Sequence, residues 1–106
     1  MESIMSILGL EDSEERRKKR LFALAMQLER ASVDGLTVLK PETVEIARAI
    51  RDLLVSDTAK LESSEKTHIF KIMNRAKVRA LQTGHSEGYN IFQALDSISA
   101  DVNPFF

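Results

Sequence analysis

Apolar residues recur every three or four positions in four separate stretches of this chain, and strand-like alternation is almost absent. That spacing places side chains on one face of a helix and commits the chain to helix-on-helix packing. The only β-like run is Leu36-Thr37-Val38-Leu39, too short to begin a sheet alone. The expected fold is all-α, a compact bundle of about four helices. A chain of 106 residues suits one domain and one core, spanning 1–106 with an N-terminal arm at 1–12 and a C-terminal tail at 100–106.

The first helix is expected from about Ser13 to Ala31. Asp12 or Ser13 is suited to cap it, and Glu14 and Glu15 complement its positive end. Leu21, Leu24, Ala25 and Leu28 form the core stripe. Phe22 and Met26 form a second pair, about a quarter to a third of a turn round. Asp34-Gly35 breaks the helix. Pro41 is pre-organised to start the second helix, to about Ser56, with Ile46, Ala47, Ile50, Leu53 and Leu54 inward and Arg48 and Arg51 outward.

From Lys66 to Gln82 the chain reads KTHIFKIMNRAKVRALQ. Ile69, Ile72, Met73, Ala76 and Ala80 share one side of a helix. His68, Lys71, Arg75 and Arg79 make a basic stripe along another. Ser63 or Ser64 is the expected cap, and Gly84 the left-handed stop. Ser86 then caps a last helix to about Ser99, whose inward face is Ile91, Phe92, Leu95 and Ile98. Ile4, Met5 and Leu8 could add a short N-terminal turn, and Val102 and the terminal Phe105-Phe106 could fold back onto the bundle.

Net charge is −1, so the basic stripe means that charge is sorted in space, as at docking surfaces. Arg16-Arg17-Lys18-Lys19-Arg20 points all round its helix. Glu14 and Glu15 are spaced to pair with Lys18 and Lys19 at i, i+4. Ala80 to Ser86 resembles the centre of a helix-turn-helix motif. The helix after it departs from that motif: Asn90 and Gln93 stand where apolar residues are usual, and no Lys or Arg follows for phosphate contact.

The chain contains no cysteine, which rules out disulfides, thiolate nucleophiles and cysteine zinc sites, and leans toward a cytoplasmic location. No metal or cofactor is expected: His68 and His85 lie on different elements, and no phosphate-cradling glycine pattern occurs. His85-Ser86-Glu87 is read as a turn and a helix start rather than a catalytic group. Glu2 stands where a signal peptide needs positive charge, and no apolar run is long enough to span a bilayer. The expectation is therefore a non-catalytic regulatory or adaptor protein. It would bind an acidic protein surface through His68, Lys71, Arg75 and Arg79, with Phe22 and Met26 as apolar anchors or as a route to homo-oligomers. The competing expectation is a nucleic-acid-binding regulator that uses the same helix.

Overall fold

A computed structural model of the chain describes residues 10–56 and 61–105. Four helices follow in order: α1, Leu10–Val33; α2, Pro41–Ser56; α3, Ser63–Gln82; and α4, Ser86–Val102. Two short 3-10 turns accompany them, Thr37–Leu39 and Asn103–Phe105, and no strand occurs among the described residues. The all-α bundle of four helices is as the periodicity predicts. The Ile4-Met5-Leu8 arm, the Asp57-Thr58 connection and Phe106 lie outside the described residues.

α1 begins at Leu10, so Asp12 and Ser13 lie inside its first turn rather than capping it. It runs on to Val33, and the buried Ser32 satisfies its hydroxyl on the Leu28 carbonyl at 2.8 Å. Asp34 then turns the chain. Its carboxylate accepts the Leu36 N–H at 3.0 Å and the Thr37 hydroxyl at 2.8 Å. This local bonding makes the β-like run a 3-10 turn. Its Val38 is fully buried, and the turn touches all four helices, so it plugs one end of the bundle.

α2 starts at Pro41 and ends at Ser56, as expected. Ala47, Ile50 and Leu54 are buried, while Ile46 and Leu53 only pack against the core edge. Val44 joins the buried set. Arg51 does not face away: it reaches Asp101 at 3.5 Å and Asp52 at 3.2 Å.

α3 is capped by Glu62, not by Ser63 or Ser64. The Glu62 side chain accepts from the N3 backbone, and Glu65 returns the bond to the Glu62 N–H at 2.9 Å. All five expected core residues of α3 are buried. The helix stops at Gly84, whose φ is 75°, a conformation cheap only for glycine. α4 has His85 as its N-cap and Ser86 as its first residue, so the serine does not cap it. α4 runs to Val102, which is buried within the helix rather than in a returning tail. Phe92 is half-buried beside Lys77, whose ammonium sits 6.0 Å from the ring centroid.

The helices form two hairpins, α1–α2 and α3–α4. α1 packs on α2 and α3, and α4 packs on α2 and α3, while the two diagonals barely touch. Each hairpin's first helix thus lies on the other's first helix. Leu21, Leu28, Ile50, Ile69, Ile72 and Leu95 fill the space between the hairpins, and each contributes about 2 kcal/mol by leaving water.

Candidate interaction face on α1 and α3

Three contacts mark how α1 and α3 lie together. Lys18 Nζ is 3.2 Å from Glu65 Oε2, Arg75 Nη1 is 3.3 Å from Glu29 Oε2, and Arg79 Nη2 donates to the Val33 carbonyl at 3.5 Å. Residue numbers rise together along both helices, so α1 and α3 are parallel. Their register is an offset of 46 residues at the last two contacts. An antiparallel neighbour, as in a simple up-and-down bundle, would reverse that order.

The register brings together the residues that sequence reasoning kept apart. An offset of 46 sets Phe22 level with His68, and Met26 level with Ile72, next to Lys71. Phe22 is half-buried against the core, and Met26 is 51% exposed. Both line a groove of about 470 Å³ with Lys18, Lys19, Ala23 and Glu65. Arg30 Nη2 lies 3.6 Å from the Met26 sulfur. Of the basic stripe, Arg75 reaches this side of α1 through Glu29, three residues after Met26.

The four stripe residues differ in what holds them. His68 and Lys71 are exposed and make no ion pair among the described residues. Arg75 pairs with Glu29 across an exposed surface, where such a pair is worth little and is screened by salt. Arg79 is half-buried at the end of α1. It lies over Gly35, and its Nε has no hydrogen-bond partner. Arg79 thus neutralises the negative end of α1 as well as lying on the stripe.

Lys18 pairs across to Glu65, and the Glu14 side chain lies outside those described. The other four residues of the Arg16–Arg20 run are exposed. Leu21, just after that run, is the first buried residue described on α1. In the observed register, α1 begins seven residues before the level of Ser63, about 10 Å. The run therefore surrounds a helix segment that carries little of the core.

Two carboxylates titrate below their ordinary range. Asp34 is lowered first by the Thr37 hydroxyl and then by the Leu36 N–H. Glu65 is lowered chiefly by the Glu62 N–H; partial desolvation opposes this, and Lys18 reinforces it. Both are therefore held as anions.

No group of three or more His, Cys, Asp or Glu side chains converges as a metal site would among the described residues. His85, Ser86 and Glu87 are all exposed. At the α3–α4 corner Gly88 is buried, and a Cβ there would collide with the Ala80 carbonyl oxygen. Asn90 and Gln93 point to solvent, and α4 carries Glu87, Asp96 and Asp101 without a basic residue. No helix among the described residues is long and apolar enough to cross a membrane.

Comparison with known proteins gives no match to any family model, curated protein or solved structure.

Sequence reasoning missed Lys18, Lys19, Glu29 and Glu65 as parts of this face. One signal was there to find. Lys18, Phe22, Met26, Glu29 and Val33 follow at intervals of four, four, three and four, a second helical stripe beside the core stripe.

Proposed function

We propose that this chain is a non-catalytic docking protein, regulatory or adaptor in kind, that binds an acidic protein partner across the α1–α3 face. One observation carries the reading: the α1–α3 register, with Phe22 and Met26 in a groove edged by Lys18 and Lys19 and with Arg75 of the stripe paired to Glu29 on the same helix as that apolar pair. An apolar centre with a charged rim is the usual anatomy of a protein interface. Methionine suits such a centre because its side chain adapts to what it meets. Basic rim residues steer an acidic partner and set its orientation. A cysteine-free chain fits a reducing compartment such as the cytoplasm.

The test is affinity capture from the native host, with and without nuclease, using wild type and a Met26→Asp/Lys71→Glu variant. Neither residue forms an internal ion pair among the described residues, so the variant should stay folded. The reading expects a nuclease-resistant partner that the variant loses. Equal capture by folded variant and wild type would sink it.

The exposed Arg16–Arg20 run favours a second reading, contact with nucleic-acid phosphates. That contact should weaken steeply with salt and respond to charge reversal at Arg16 and Arg20. A gel shift with duplex and single-stranded probes separates the two readings. Self-association through Met26 is read from the sedimentation of the same variant.

A further inference from the structure

We infer that the occupant of the α1–α3 groove is an acidic amphipathic helix, laid along the two parallel helices with its apolar side on Phe22 and Met26. The inference rests on the docking reading above and specifies the partner's chemistry.

The shape of the groove selects a helix. Peptides dock on folded domains by extending a sheet, by laying a helix into a groove or by setting a polyproline segment on a row of aromatic rings, and Phe22 is the one aromatic residue that lines this groove among the described residues. No strand exists among the described residues, so there is no sheet edge to extend. The groove lies between the contacts at Lys18 and Glu29, eleven residues apart on α1. At helical rise that is about 16 Å, or three turns of an incoming helix. Phe22 and Met26 are one turn apart, so they match apolar side chains spaced i and i+4 on the partner.

The unneutralised charge of the rim selects acid. Glu29 and Glu65 are already engaged by Arg75 and Lys18. Lys19 on α1 and Lys71 on α3 are exposed and make no ion pair among the described residues, and Arg30 stands beside Met26. Glu15 at the N-terminal end is the exception among the lining residues. A partner with carboxylates on both flanks of an apolar stripe would meet Lys19 on one side and Lys71 on the other.

A second copy of this chain fits less well. Its acidic helix is α4, but Asp96 is held by Lys77 at 3.0 Å and Asp101 by Arg51 at 3.5 Å. Those carboxylates would have to leave existing partners to reach the groove.

The test uses the full chain and two synthetic peptides of about 15 residues, about 22 Å long as helices. One carries leucines at i, i+4 and i+7 flanked by glutamates. The other has the same composition in scrambled order. Binding is followed by fluorescence anisotropy and by amide shifts. The expected result is saturable binding of the helical peptide, at least tenfold weaker binding of the scramble, and shifts centred on Phe22, Met26 and Lys71. Met26→Asp should weaken binding at least tenfold. Lys71→Glu should weaken it several-fold and reduce its salt dependence, and this variant serves if Met26→Asp misfolds by circular dichroism.

Equal binding of both peptides, or binding that neither variant changes, overturns the inference. So does a dimer in sedimentation that Met26→Asp dissolves, which would make the occupant a second copy. The two levels remain separable. If neither peptide binds but the host partner is still lost in Met26→Asp/Lys71→Glu, the acidic helix is wrong and the docking face stands. If capture is also unchanged, both fail.

Discussion

Arg79 on α3 donates to the carbonyl oxygen of Val33, the last residue of α1, at 3.5 Å. A residue selected by its place in a basic stripe thus also closes the end of a neighbouring helix. Replacing it with alanine removes a charged donor from the negative end of α1 and should cost about 1 kcal/mol. For a domain of this size that is a fall in Tm of about 4–8 °C. Lys71→Ala, without an internal ion pair among the described residues, should stay within about 0.5 kcal/mol of wild type. Urea denaturation of both variants checks the contrast. If the two lose stability equally, Arg79 has no special role at the helix end.

At Gly88, α4 lies close against the end of α3. A methyl group there meets the Ala80 carbonyl oxygen and, at 2.5 Å, the Thr83 hydroxyl oxygen. Helix propensity alone would favour alanine by about 1 kcal/mol. The obstacle is backbone, which cannot swing aside as a flexible side chain would, so Gly88→Ala should instead lose about 3 kcal/mol. A stabilised Gly88→Ala in thermal melts would show that the helix pair opens easily.

Val38 is fully buried in a three-residue turn that touches all four helices. Val38→Ala should cost about 2 kcal/mol through lost burial and a residual cavity. Amide exchange should also quicken at the adjoining ends of all four helices, not in the 34–40 link alone. Faster exchange confined to the link would mean that the turn is not a plug.

Asp34 and Glu65 link stability to acid. Each has a folded pKa below its ordinary value, 3.8 for Asp34 and 4.5 for Glu65. A depressed carboxylate contributes stability that is complete above its unfolded pKa and is lost as pH falls through its folded one. Unfolding free energy should therefore drop as pH falls from about 5 toward 2. Asp34→Asn and Glu65→Gln should each make that slope shallower while lowering stability at neutral pH. An unchanged slope in Asp34→Asn would remove the Asx turn as an acid-sensitive element.

What the sequence discloses here follows its physical range. Side-chain period is local, so the buried side of α3 from Ile69 to Ala80 and the bounds of α2 at Pro41 and Ser56 are legible. Caps are local too, yet Ser63, Ser64 and Ser86 do not supply them. Glu62 takes the N-cap because Glu65, three residues on, returns its bond, a pairing that outweighs the usual preference for Ser63 or Ser64. The Leu36–Leu39 run has strand composition, yet Asp34 curls it and the open end of the bundle buries its Val38. The least legible feature is which helices are neighbours. Lys18 has Glu15 three residues before it on its own helix and pairs with Glu65 on α3. Phe22, Met26 and the basic stripe each showed in the sequence, but their meeting depends on a register that only tertiary packing sets.

The parallel stacking of the hairpins also divides the route by which the chain folds. Contacts within a hairpin close short loops such as the one at Gly84. The contacts between hairpins join positions 46 to 50 residues apart. Each doubling of loop length adds about 0.6 kcal/mol of closure entropy. The hairpins can thus form early, with their docking as the late, ordering event. Changes at the α3–α4 corner should therefore mainly slow folding, while truncations at the seam, such as Leu28→Ala or Ile72→Ala, should mainly speed unfolding. Stopped-flow rates that show the reverse would place the seam in the nucleus, and the chain would then join its layers before its corners close.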